Sequence, residues 1–224
     1  MPTSEHHNIA PILTIFQTLA PRSVLDVGCG FGKYGMLLRE YLDISEQRIK
    51  KTDWRVRIDG VDAFEDYRNP IWDFVYDRVH VGDIQQVLPT LGRYDAILVA
   101  DMIEHLEKDA AAKLVQLLHQ QCETLVISTP KEFYAQPSTN GNDFEIHRCL
   151  WTDADYPSGV NVVTIPGLSC NVYVSSRKEI HAAAYRPAAA LDVVFLQSRL
   201  RLKHLGLAGW PVSAALRAVA RLVT

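Results

Sequence analysis

Five carboxylates and two histidines in this chain of 224 residues sit at spacings that could support chemistry. The run Val24-Leu-Asp-Val-Gly-Cys-Gly-Phe-Gly32 carries Asp26 and then glycines at alternate positions, Gly28, Gly30 and Gly32. Alternate glycines let the main chain turn sharply and admit a ligand against backbone atoms, while a helix starting just beyond offers unpaired N–H groups. A ligand cradle is therefore expected there. Asp62 closes Ile58-Asp-Gly-Val-Asp62, and Asp83 follows Val81-Gly82 and precedes Ile84. A carboxylate offers two acceptor oxygens, which is what a vicinal diol requires. Asp101, Glu104 and His105 fall at i, i+3 and i+4, so a helix beginning at about Asp101 would gather all three on one face. His105 and His147 are candidate bases, because a histidine of near-neutral pKa takes a proton at working pH. Cys29 has no helper nearby in sequence and reads as a small filler.

These residues need a frame, and apolar runs of strand length alternate with stretches of helical period to supply one. The pattern predicts a leading helix over Ile9 to Leu19 and a first strand over Ser23 to Val27. A helix over Lys33 to Tyr41 follows, then a polar excursion, Asp43 to Trp54, before a second strand over Val56 to Val61. Val79 to Val81, Tyr94 to Ala100 and Thr124 to Ser128 are the next strands, with a helix over Glu104 to Gln120 between the last two. Asp95 is expected to orient the fourth strand. Residues 130 to 150 form a loop too long for mere connection, and Phe133, Tyr134, Gln136, Phe144 and Arg148 are its candidate substrate contacts. Thr152 and Asp155 have capping-box spacing, and Val160 to Ile165 and Asn171 to Ser175 read as an antiparallel edge pair.

With 48% hydrophobic and 22% charged residues, the composition is that of a globular domain. A chain of this size buries roughly 70% of its unfolded surface and folds without disulfides or a structural metal. Four separated cysteines argue against a secreted disulfide framework, and the polar first ten residues argue against a secretory signal, so a cytoplasmic location is expected. The net charge of −3 is unevenly spread. Residues 181 to 224 hold six Lys/Arg against the single acid Asp192, which leaves 17 basic and 25 acidic side chains, a net −8, in residues 1 to 180. A body of that sign does not grip nucleic acid.

The spacing Gly30-x-Gly32-x-x-Gly35 matches a dinucleotide fingerprint literally, but counted from Gly28 the third position is Lys33, the wrong register for NAD. The arrangement Asp26-x-Gly28-x-Gly30-x-Gly32 instead resembles motif I of class I S-adenosylmethionine-dependent methyltransferases. Over residues 20 to 176, Asp62 resembles that family's ribose-binding acid, with Asp59 as the less favoured substitute. Asp83 and Ile84 resemble its adenine contacts, and Tyr94 to His105 resembles its fourth motif. The resemblance implies a Rossmann-like α/β fold: a seven-stranded, mainly parallel sheet with an antiparallel edge hairpin and helices on both faces. It implies S-adenosylmethionine as donor and S-adenosylhomocysteine as product, with Asp26, Gly28, Gly30, Gly32, Asp62, Asp83, Ile84 and Asp101 on the cofactor side. Glu104, His105 and His147 are the catalytic candidates, and a hydroxyl or amine of a small metabolite or glycan-type molecule is the expected acceptor.

Asp101, Glu104, His105 and His147 also resemble the metal set of small-RNA 2′-O-methyltransferases, so a metal-dependent ribose methyltransferase is a second reading. The expectation carried forward is a metal-free histidine base. A non-catalytic S-adenosylmethionine-binding module and an NAD(P)-dependent oxidoreductase are the alternatives of another class. Residues 1 to 180 are expected to form the catalytic domain and 181 to 224 a basic amphipathic helical extension. Residues 190 to 224 would serve in peripheral membrane contact, in self-association or in packing on the body.

Overall fold

A computed structural model describes residues 4–138 and 141–185. The helices expected at Leu191 to Leu205 and Val212 to Val223 lie outside the described residues.

Seven strands form one sheet in the order β3-β2-β1-β4-β5-β7-β6. They are β1 (Ser23–Val27), β2 (Arg57–Asp62), β3 (Arg78–Val81), β4 (Tyr94–Ala100), β5 (Cys122–Pro130), β6 (Asn161–Pro166) and β7 (Cys170–Ser176). β1 to β5 pair in parallel, with Val27 beside Val61 on one side and beside Val99 on the other. β7 runs antiparallel to both β5 and β6, which is the expected edge hairpin. Because β1 lies between β2 and β4, the order of the strands reverses there and the carboxyl ends diverge into a crevice.

Both faces of the sheet are covered, so neighbouring strand residues divide between two cores. Val24, Ala96 and Leu98 pack with Ile12, Ile15 and Phe16 of α1 (Ile9–Leu19) and with Leu38 of α2 (Lys33–Leu42). The short α3 (Pro70–Val75) adds Trp72 to that side. Leu25, Val27, Ile97 and Val99 pack on the opposite face, against Ile84 of α4 (Ile84–Val87) and Leu114, Val115 and Leu118 of α5 (Lys108–Gln121). Among the described residues no helix is long and apolar enough to cross a membrane.

The polar excursion between α2 and β2 is tied down from within. Arg39 is fully buried and its guanidinium donates to Asp43 (2.6 Å), to the carbonyls of Val56 (2.7 Å) and Val75 (3.0 Å), and to Asp77 (3.2 Å), while stacking on Trp54. Asp43 takes Arg48 and the Arg55 N–H as well. The Arg39 guanidinium and both Asp43 oxygens thus have partners, the condition under which a buried charge is tolerable, while among the described residues the Trp54 indole N–H has none. Asp95 likewise accepts from the N–H groups of Arg22 and Ser23 and so ties the start of β4 to the start of β1, as expected.

Two elements differ from expectation by more than one residue at an end. β5 extends two residues beyond the expected segment at each end, because β4 pairs Tyr94 with Cys122 at one end and β7 pairs Cys170 with Pro130 at the other. The helix expected from Glu104 begins only at Lys108. Asp101 is left-handed (φ 49°), Ile103–His105 is a single 3₁₀ turn, and Leu106 and Glu107 are extended. Asp101, Glu104 and His105 therefore do not share a helical face.

α2 starts under the glycine loop and passes so close to Tyr76 that a Cβ at Gly35 would overlap its ring, while the Gly35 N–H donates to the Tyr76 hydroxyl at 3.2 Å. Gly35→Ala should gain about 1 kcal/mol of helix propensity but suffer an overpacking cost of roughly 1–3 kcal/mol. Urea unfolding should show a net loss of stability; an unchanged or raised midpoint would mean that α2 does not depend on this approach.

Candidate active site

The crevice above β1, β2 and β4 encloses about 310 Å³ and brings residues from the whole chain together. That volume is near the lower end for ligand pockets. One end is the glycine loop. Gly28, Gly30 and Gly32 all have positive φ (73°, 49° and 88°), a conformation costly for residues with a Cβ, which is why glycine is needed at alternate positions. Gly28 also lies against Met102, where a Cβ would come within 2.9 Å of Cγ. The loop is held at both flanks. Asp26, 1% exposed, accepts the Tyr76 hydroxyl at 2.6 Å, and Tyr76 in turn takes the Gly35 N–H.

Asp62 stands at the end of β2 facing this loop, accepting from Gly30 N–H (2.7 Å) and Phe64 N–H (2.9 Å). Burial pushes its carboxyl above the usual range. Asp83 caps α4 through Gln85 N–H (2.8 Å), and both Asp83 and Ile84 line the crevice. The Tyr34 hydroxyl is buried on the wall and has no hydrogen-bond partner among the described residues. A two-oxygen acceptor, an acid beside an apolar side chain and an exposed main-chain turn fit the ribose, adenine and amino-acid parts of S-adenosylmethionine.

Two of the expected cofactor contacts are corrected. Asp26 lies beneath the floor, its carboxylate turned to Tyr76, and Gly32 faces Ile71 and Trp72 of α3 instead of the crevice. Asp59 accepts from the Tyr94 hydroxyl and does not line the crevice, which leaves Asp62 as the diol-binding candidate. Cys29 is buried and its thiol is pushed far up by that burial, so it is no nucleophile.

At the other end Glu104, His105 and His147 meet, with one ligand-type atom of each within 4.8 Å of the others. Asp101 is not in this group; its carboxylate takes the Glu5 N–H (2.6 Å) and the Ser128 hydroxyl (2.7 Å). The fourth member of the alternative metal set is thus committed to Glu5 and to Ser128 of β5. Glu104 is 2% exposed; burial first, and Asp101 second, push its carboxyl well above the usual range. Burial lowers the pKa of both His105 and His147. Each Nδ1 lies near a carbonyl, that of Ile146 for His105 (3.4 Å) and that of Tyr134 for His147 (3.1 Å). A carbonyl only accepts, so Nδ1 carries the proton and Nε2 keeps its lone pair.

The loop that carries His147 hangs on main-chain bonds: the N–H groups of Arg148 (2.8 Å) and Cys149 (3.1 Å) both donate to the Glu104 carbonyl. Tyr134, Gln136 and Phe144 line the crevice, as expected of a substrate side. Phe133 and Arg148 do not. The Arg148 guanidinium is used up on the carbonyls of His105, Ile146 and Asp143. Among the lining residues that escaped sequence reasoning are Tyr67, Asn142 and Glu145, joined through the Tyr67 hydroxyl. Only the Gly141-Asn-x-x-Glu run hinted at two of them.

Residues 5–165 match a family model described as a methyltransferase domain. No curated protein matches the chain. Among solved structures, a SAM-dependent methyltransferase from Archaeoglobus fulgidus is 15% identical with a TM-score of 0.52, over 72% of this chain and 89% of that one. The N-terminal domain of EvdMO1, solved with S-adenosylhomocysteine and D-fucose, is 14% identical with a TM-score of 0.52, over 79% and 85%. Magnesium protoporphyrin IX methyltransferase from Synechocystis PCC 6803, with S-adenosylhomocysteine bound, is 16% identical with a TM-score of 0.51, over 76% and 82%. At these identities the likeness is one of fold.

The anchor beneath the loop has a pH signature. Burial raises the Asp26 carboxyl from 3.8 to about 7. Folding then favours the protonated form, so its stabilisation is complete below about pH 4 and is lost as pH rises through 7, a difference of roughly 4 kcal/mol. Asp26→Asn keeps an acceptor for Tyr76 and cannot ionise. Its stability relative to the wild type should therefore rise between pH 4 and 8, and parallel curves from chemical unfolding would rule out Asp26 as the titrating group.

Proposed function

The chain belongs to the methyltransferase-domain family of class I S-adenosylmethionine-dependent proteins, and from that premise we propose that it methylates a hydroxyl group of a small polar acceptor such as a sugar or other metabolite. One observation carries the reading. A single crevice holds a diol-type acceptor, Asp62, at one end and two neutral histidines, His105 and His147, at the other.

Bound at the glycine loop, S-adenosylmethionine supplies a methyl group already activated on a sulfonium. The chain's own residues then have three tasks. Asp62, Asp83, Ile84 and the main chain of Gly28 and Gly30 fix the donor's position. Tyr134, Gln136 and Phe144 line the acceptor side and exclude water. Holding two reactants in line contributes on the order of 7–11 kcal/mol at best. A histidine Nε2 takes the hydroxyl proton as the new bond forms; with both rings neutral at neutral pH, either has the lone pair for it.

A second reading is favoured by the convergence of Glu104, His105 and His147: a divalent cation held by one carboxylate oxygen and two imidazoles would draw two hydroxyls of a ribose-type acceptor together. The net −8 of residues 1 to 180 opposes a nucleic acid backbone, so a small diol suits this variant better than RNA.

Incubating the purified protein with methyl-labelled donor and fractionated native extract should yield one labelled polar product, and replacing both His105 and His147 by Ala should abolish it while donor binding by calorimetry persists. Absence of product across polar and lipid fractions, with donor still bound, would favour a non-catalytic binding module. Donor at 100 times its dissociation constant should stabilise the fold by about 2.7 kcal/mol. Turnover that survives thorough chelation places the histidines as the base without a metal; turnover lost to chelator and restored by magnesium or manganese selects the second reading.

A further inference from the structure

Tyr67 lies in the 3₁₀ turn Glu65–Tyr67, five residues beyond Asp62, and touches three parts of the crevice at once. Its ring packs on Phe31 of the glycine loop (5.0 Å between centroids) and edge-on against Phe64 (4.9 Å), whose N–H is bound by Asp62. Its hydroxyl donates to Glu145 (2.8 Å) and accepts from the Asn142 amide (3.0 Å). All three polar residues are nine-tenths or more buried. With one proton given and one lone pair used, the hydroxyl forms a bridge between the two residues.

Asn142 and Glu145 frame the segment just ahead of His147. The Asn142 side chain caps the turn Asp143–Glu145 through Phe144 N–H (2.9 Å), and the Glu145 carbonyl takes the Gln136 amide (2.7 Å). On the β4 side the loop is tied by the Glu104 carbonyl and by Arg148. On the β2 side, among the described residues, the Tyr67 hydroxyl makes the only hydrogen bonds to it. The carboxylate it receives is poorly placed without it, since Glu145 lies close enough to Asp62 and Glu104 to raise the pKa of both.

We infer that Tyr67 is a positioning residue that couples the seating of the donor, at Asp62 and the glycine loop, to the order of the loop that presents His147 and the acceptor-side residues. This rests on the donor-binding reading above. The coupling has a simple basis. Phe31 and Phe64 are the neighbours of the donor-binding groups and the packing partners of Tyr67, so fixing them fixes the ring, and the hydroxyl fixes Asn142 and Glu145. A loop ordered by the donor presents its acceptor residues only when there is a methyl group to give.

Amide hydrogen exchange on the full-length protein, with and without S-adenosylhomocysteine, tests this. In the wild type, peptides within residues 141–150 should exchange about tenfold more slowly with ligand, the scale of one hydrogen bond's worth of opening. Tyr67→Phe keeps the ring and should still bind the ligand, at most about tenfold more weakly by calorimetry because the coupling is reciprocal, yet lose that loop protection. Glu145→Gln, which still accepts from the hydroxyl, should retain it, whereas a generally loosened fold would lose protection in β1 and β4 as well. Should Tyr67→Phe fail to fold, Asn142→Ala removes one partner from the loop side and should lose part of the protection. Ligand binding without loop protection in the wild type, or full protection in both Tyr67→Phe and Asn142→Ala, overturns the coupling. A wild type that binds no S-adenosylhomocysteine overturns the donor reading itself and takes the coupling with it.

Discussion

The shape of the crevice depends on one buried carboxyl. Asp26 precedes the glycine loop and Gly35 follows it, and both are bound to the same hydroxyl, that of Tyr76. The loop between them is thereby pinned at its two ends by a single side chain from the segment that joins α3 to β3. Three successive left-handed glycines have little reason of their own to hold one path, since glycine loses more freedom on ordering than any other residue. The anchor supplies that reason. Its cost is an acid placed where burial resists ionisation, tolerable because a protonated carboxyl in a hydrogen-bonded chain needs no counter-charge.

Most of the frame was legible because its signals are local. β1 and β4 are apolar runs bounded by turn residues, and they occupy the very residues that the pattern predicts. α1 does so too, and the capping box at Thr152 is present. The errors share a different origin. The spacing of Asp101, Glu104 and His105 fits a helix as well as any triplet could, but Asp101 is held left-handed by Ser128 and by the main chain of Glu5, 96 residues away. Glu104 is likewise fixed by a loop 44 residues on. No periodicity reports such a bond. Tyr67 was missed for the same reason: its two polar partners lie 75 and 78 residues further along the chain. Arg148 was misread because a guanidinium's chemistry is visible in sequence and its prior commitment to three carbonyls is not.

The crevice concentrates acids. Asp62, Asp101, Glu104 and Glu145 all line it, and burial raises the pKa of the first three. Such a set stores repulsion that any cation relieves. A sulfonium is a cation and its demethylated product is not, so the same lining that attracts the donor holds the product less strongly. The net −8 of residues 1 to 180 acts in the same sense at longer range.

The hook on the Glu104 carbonyl bears on how such a protein diversifies. On the β4 side, what places His147 is main chain: two N–H groups on one carbonyl, and its own Nδ1 on the carbonyl of Tyr134. Main-chain atoms are indifferent to side-chain identity. The Phe144 side chain, half exposed at the mouth, makes none of these bonds and can be exchanged while the candidate base stays in place, whereas the Tyr134 ring packs edge-on against His147 at 4.5 Å. On the proposed reading, the mouth at Phe144 can thus change its shape without moving the candidate base.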